Sequence, residues 1–369
     1  LHSLRSRKSQ MCIRDSINRF DFTTLPINLL YLLYYEYRRN EKESLNFSFF
    51  EYGKNSNGNP DDDRWEMYLE LQEMYAILQR WYNDKELYHY LGFLFFNFKA
   101  QTPFRDIYTQ WKALNSRDKF LKDIQHTIAT RMLDRYLEET EKAAPDYQKC
   151  LKTMTEAISD FRENWYNNDK ELYQILILLD IFRILDSKSI KKLPTDYFTR
   201  KSGQKDGEDK EHILSQTPRK DNGEIATIKT DWERFAQSED FKDIRSQMQE
   251  ILNHSDAELT EQELTQLQNL LNSAGLNSIG NMVLLDLRIN RSYGNADYTH
   301  KRTIIFQEYM NQKYVRPHTL AVFMKGDIDA REATGIPLNR WTLEDIKRNT
   351  DKIAKEIGKN FNAWLTQNN

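Results

Sequence analysis

Helix breakers are scarce in this chain. Only 12 glycines and 8 prolines interrupt 369 residues, against a combined usage of roughly 12% in ordinary proteins. Turns draw heavily on these residues, so loops must be few and helix must dominate. The 20 Tyr, 19 Phe and 7 Trp supply a core for those helices, and the length suffices for two domains. A formal charge of −3 excludes a globally basic nucleic-acid coat and an acidic disordered tail. Two cysteines, Cys12 and Cys150, make neither a disulfide framework nor a cysteine zinc site, which fits a reduced, cytoplasmic chain. No apolar run of about 18 residues predicts a membrane span, and the N-terminus lacks the pattern of a signal peptide.

The chain divides by character. Residues 1–16 are basic and Ser-rich without periodicity, and read as a non-native or disordered leader. Residues 17–187 read as a helical domain. Along Trp65, Tyr68, Leu69, Tyr75, Leu78, Trp81 and Tyr82 the apolar residues recur at three and four, so these aromatics are expected in a core. Glu171 to Leu185 is apolar all round, as in a buried helix. One segment repeats: Trp81-Tyr82-Asn83 then Asp84 to Tyr88 is echoed by Trp165-Tyr166-Asn167-Asn168 then Asp169 to Tyr173. Each copy predicts a helix end, an Asn/Asp cap and a fresh helix, giving two similar corners in one bundle.

Residues 188–369 read as a second domain. Lys188 to Lys205 carries a net +5 and Arg288 to Arg316 a net +4, while Glu239 to Glu263 carries −6. Thr260 with Glu263 forms a capping box, and Gly275 fits just past the end of that helix. Thr342 with Asp345 caps a last helix. Glu211-His212-Ile213-Leu214 and Ile279-Gly280-Asn281-Met282-Val283-Leu284-Leu285 are predicted as two paired strands. Asn295 is predicted to open a helix through about Lys313 with Tyr298, Ile305, Phe306, Tyr309 and Met310 inside.

The order of polar residues carries the chemistry. Glu211-His212-Ile213 is followed by Ile279-Gly280-Asn281 with Leu284-Leu285, then Asn290, Ser292, Asn295, Tyr298 and Lys301-Arg302. This order resembles the HNH, or ββα-metal, nucleases. More closely, it is similar to the C-terminal nuclease domain of the GmrSD-type modification-dependent restriction endonucleases, from about residue 206 to the end. The helix from Trp81 to His89 resembles the helical middle of the same proteins. The resemblance implies a mainly α protein: a helical bundle followed by an α+β ββα-metal domain with a helical insert. The long connection from His212 to Asn281 is tolerable as such an insert.

The resemblance further implies a metal-dependent DNA endonuclease of a phage-defence restriction system acting on modified DNA. Cutting a phosphodiester needs a base for water and positive charge at the phosphate. Histidine suits the first task, being mostly neutral at pH 7. Mg²⁺ or Mn²⁺, with hard oxygen ligands, suits the second. On this reading His212 is the general base, Asn281 orients its loop, and Asn290 offers its carbonyl oxygen to the metal, with Glu211 as a second ligand. Arg291, Asn295, Lys301 and Arg302 face the DNA backbone, where such contacts give sequence-independent affinity. Residues 17–187 would then be the remnant of, and linker from, a nucleotide-using N-terminal domain. Its Asp-Gly-Gln-Gln-Arg signature and any P-loop are absent here, so nucleotide enters only through that missing part.

Taken singly, each residue has a plainer reading. His212 alone is a satisfied structural histidine, Asn281, Asn290 and Asn295 are turn or cap residues, and Lys301-Arg302 is a solvated helix face. A second class therefore stays open: a non-catalytic helical DNA-binding or regulatory protein with a degenerate nuclease fold. Homo-oligomerisation is compatible with either.

Overall fold

A computed structural model describes residues 27–38, 60–190, 192–199, 207–215, 217–218, 224–287, 289, 298–325 and 340–367. The protein is mainly helical with one small two-stranded sheet. It divides into two compact units. One comprises Leu1–Arg131 with Ser187–Thr199, and the other Met132–Asp186 with Arg200–Gln367. The division departs from a boundary at 188, because the helix ending at Asp186 is built into the second unit.

The first unit contains α1 (Ile27–Arg38), α2 (Pro60–Asn83), α3 (Lys85–Asn97), α4 (Phe104–Leu114) and most of α5 (Arg117–Leu133). Leu71, Met74, Leu78 and Trp81 bury one stripe of α2, joined by Phe93, Phe104, Tyr108, Phe120 and Ile124. The expected core aromatics at the start of α2 are instead exposed: Trp65 is 61%, Tyr68 48% and Tyr75 41% accessible, with Leu69 beside them. The helix carries two apolar stripes of the same period, and periodicity alone does not say which one packs. At the α2–α3 corner Asp84 caps α3, its Oδ1 accepting from the Glu86 and Leu87 amides, each at 3.1 Å. His89 is a satisfied core histidine. Its Nδ1 meets the Lys85 carbonyl at 2.5 Å, and its Nε2 accepts the Leu193 amide at 3.0 Å.

The second unit holds α6 (Tyr147–Ser159), α7 (Asp169–Asp186), β1 (Glu208–His212), α8 (Lys229–Ala236), α9 (Arg245–Asn253), α10 (Glu261–Ser273), β2 (Met282–Asp286), α11 (Tyr298–Met310), α12 (Pro317–Met324) and α13 (Leu343–Thr366). Helix α7 is buried nearly all round, as its composition predicts. Thr260 and Thr342 form the expected capping boxes with Glu263 and Asp345. Gly275, just past α10, takes φ +88°, a conformation that L side chains rarely adopt. Helix α13 buries Ile346, Ile353, Ile357, Phe361 and Trp364.

The strands run antiparallel, with Glu208 opposite Asp286 and His212 opposite Met282. One buried guanidinium fastens this sheet to two helices. Arg316, at the start of α12, grips Glu208 of β1 at 2.8 and 2.7 Å and Asp180 of α7 at 2.8 Å. Burial raises the Asp180 carboxyl, opposed by that cation. In α11 the buried stripe is Tyr298, Lys301 and Ile305. Tyr309 and Met310, expected inside, are exposed, because that stripe stops before the last turn.

Candidate functional site

Strand β1 reads Glu-Asp-Lys-Glu-His, a composition with little strand preference of its own. It pairs because β2 beside it is a buried apolar run. The strand ends at His212, so Ile213 and Leu214 lie beyond it rather than in it, and Ile279–Asn281 forms a 3₁₀ turn ahead of β2 rather than its first residues. The cause is Asn281. Its backbone carbonyl accepts the Ile213 amide at 2.9 Å, and its side chain then takes both ends of Leu214, Oδ1 accepting the amide at 2.8 Å and Nδ2 donating to the carbonyl at 3.0 Å. The same Nδ2 donates to the Leu276 carbonyl at 2.9 Å, and the whole side chain is buried. Gly280 lets this corner lie against α13. A Cβ there would stand 2.3 Å from the Ile346 carbonyl oxygen and from Thr350 Oγ1.

His212 is 8% accessible and held on several sides. Its Nε2 lies 2.9 Å from Asn277 Oδ1, and Asn277 Nδ2 donates to Asn272 Oδ1 at 2.6 Å. Tyr166 stacks on the imidazole with ring centres 4.7 Å apart and planes 17° from parallel. The turn that carries Tyr166, Trp165–Asn167, is tied in by the Trp165 amide, which donates to the Asn277 carbonyl at 2.9 Å. Lys210, two residues before His212, sits 4.1 Å from the centre of the Tyr166 ring and pairs with Asp169. The His212 carbonyl accepts Lys301 Nζ at 2.7 Å.

Two of the expected site residues are engaged with each other here. Lys301 does not lie on a surface that could face DNA. It is buried, and its ammonium is spent on the His212 carbonyl and on Glu211 Oε1 at 3.0 Å. Burial lowers its pKa, opposed by Glu211. That pair in turn engages the carboxylate expected as a metal ligand. Among the described residues no three His, Cys, Asp or Glu side chains gather as a cation site. Arg302 is partly buried, its Nε donating to the Phe323 carbonyl at 3.0 Å and its guanidinium 4.6 Å from the Phe306 ring centre. Asn290, Arg291 and Asn295 lie outside the described residues.

Sequence reasoning missed Tyr166, Asn277 and Asn272. Tyr166 stood in the repeated corner but read as core, and an asparagine four residues before Asn281 reads as an ordinary turn.

The fold and site define a mainly helical protein in which a short strand pair presents one clamped histidine. The family of GmrSD restriction endonucleases, C-terminal domain, matches residues 155–356, and the chain belongs to it. The match covers α7, both strands and α11, and so the whole histidine site. No curated protein and no solved structure matches the chain. No helix among the described residues is long and apolar enough to cross a membrane.

Proposed function

We propose that the chain is a DNA endonuclease of the HNH type in which His212 is the general base. The imidazole takes a proton from water as the water oxygen bonds to phosphorus. The bond from phosphorus to the 3′ oxygen breaks, leaving 5′-phosphate and 3′-hydroxyl ends. The observation that carries this reading is the clamping of His212 at ring edge, ring face and backbone carbonyl, since a base held in one pose is what proton transfer requires. Membership in a restriction endonuclease family supports DNA as the substrate. On this reading the protein works in the cytoplasm, in defence against phage carrying modified DNA.

The element order of two antiparallel strands followed by α11 supports a ββα arrangement. Asn290 is the remaining candidate ligand for Mg²⁺ or Mn²⁺, which would stabilise charge at the phosphate when bound. Arg291, Asn295 and Arg302 are the candidates for backbone contacts. Asn281 and Lys301 act on the His212 loop rather than on the DNA.

The test is plasmid nicking by purified protein with Mg²⁺ or Mn²⁺. His212→Ala should abolish nicking with the circular dichroism spectrum unchanged, and nicking at the wild-type rate by that variant overturns the assignment. Activity should also fall on acidification, because a protonated imidazole accepts no proton.

A further inference from the structure

We propose that Asn277, held by Asn272, is a positioning residue that fixes His212 as its Nε2–H tautomer and so makes Nδ1 the nitrogen that takes the proton from water. The role in catalysis rests on the nuclease reading above; the tautomer does not.

The assignment follows from what an amide can do at each end. A carboxamide nitrogen only donates and its oxygen only accepts. Asn277 Nδ2 donates to Asn272 Oδ1 at 2.6 Å, which turns Oδ1 toward the imidazole. That oxygen, 2.9 Å from His212 Nε2, can only accept, so Nε2 carries the hydrogen. In a neutral imidazole the lone pair then belongs to Nδ1. The opposite tautomer would set two lone pairs against each other in a site where Asn277 is 5% accessible. The Trp165 amide holds the Asn277 carbonyl at 2.9 Å, so the residue is pinned in its main chain as well as at both ends of its amide. Groups that orient a functional imidazole through its second nitrogen act in this way elsewhere.

His89 supplies an internal standard of the opposite kind. Its Nε2 accepts the Leu193 amide, so its hydrogen sits on Nδ1, facing the Lys85 carbonyl. Burial holds its pKa down at about 4, and it stays neutral at pH 8.

The experiment is long-range ¹H–¹⁵N correlation of the full chain labelled at histidine, recorded near pH 8, with His212 and His89 signals assigned by His212→Ala and His89→Gln. His212 should show the Nε2–H pattern and His89 the Nδ1–H pattern. Asn277→Ala should turn His212 into a mixture, lower kcat for plasmid nicking by about 10–100-fold and leave KM unchanged. Asn277→Asp, which keeps an acceptor, should restore the single pattern. Asn272→Ala, which frees the amide to turn over, should also give a mixture, and it serves if Asn277→Ala fails to fold. A wild-type His212 in the Nδ1–H form, or a pattern unmoved by both alanine variants, overturns the proposal. If His212→Ala still nicks DNA, the function fails while the tautomer assignment stands or falls on its own spectrum.

Discussion

The two repeated corners begin alike and end in different chemistry. Each buries its tryptophan, Trp81 or Trp165, and each sets the next tyrosine against a lysine: Tyr82 lies 3.1 Å from Lys192 and Tyr166 lies 4.1 Å from Lys210, ammonium to ring centre. In each, the tyrosine that ends the repeat donates its hydroxyl to a residue beyond its own helix, Tyr88 to the Leu193 carbonyl and Tyr173 to Asp209. The second copy is one residue longer, and that residue redirects the acid. In the first corner Asp84 caps α3 and holds Arg117. In the second, Asn168 precedes α7 and Asp169 pairs with Lys210 beside the site. Glu86 is half exposed against Arg117, whereas its counterpart Glu171 is buried, meeting Arg135, Tyr136 and Asn168. The corners also belong to different compact units rather than to one bundle. One pattern thus serves as a plain helix junction in one place and as the back wall of a histidine site in another.

The comparison can be broken most forcefully at the tryptophans. Trp81→Ala and Trp165→Ala should each cost about 4 kcal/mol through the cavity left behind, read by urea denaturation, but only Trp165→Ala should also remove nicking. Equal loss of nicking from Trp81→Ala, at a urea concentration where the protein stays folded, would erase the distinction between the corners.

The arginines sharpen it. Arg135→Ala leaves the buried Glu171 short of its cation and should cost about 2–3 kcal/mol. Arg117→Ala removes a more exposed pair and should cost about 1 kcal/mol. Its pH signature is the better readout. Burial works to raise the Asp84 carboxyl, but the Arg117 hydrogen bond and charge and the α3 amides hold it below the usual carboxylate range. A carboxyl lowered on folding adds stability above its unfolded pKa and loses it as pH falls through the folded value. Arg117→Ala should therefore bring acid unfolding of the first corner on at higher pH, followed by circular dichroism. The smallest effect is expected from the tyrosines. Tyr166→Leu should lower nicking about fivefold, matching a ring stack worth about 1 kcal/mol, while Tyr82→Leu leaves it unchanged.

What could be read from the sequence was what is settled within a few residues. The capping boxes of α10 and α13 join partners three residues apart, and the apolar surround of α7 is carried by its own composition. Lys301 could not be read, because the carboxylate that explains its burial lies 90 positions away and Lys-Arg on a helix looks solvated. Strand β1 was legible only at its His212 end, since four of its five residues are charged and the partner strand decides its conformation. The exposed stripe of α2 had a valid period and a competing stripe beside it. For His212 the order of motifs pointed to the residue, while the side chains that hold its ring, Asn277 and Tyr166, arrive from elements whose own residues announce nothing.

Asn281 has a consequence for how this site is held together. It fastens the Leu214 peptide on both sides while sitting next to β2 itself, so the excursion from 214 to 281 leaves and returns through a single amide. The clasp fixes where the excursion meets the sheet, and because Asn272 and Asn277 lie inside it, its returning turn is tied to the imidazole as firmly as the strands are.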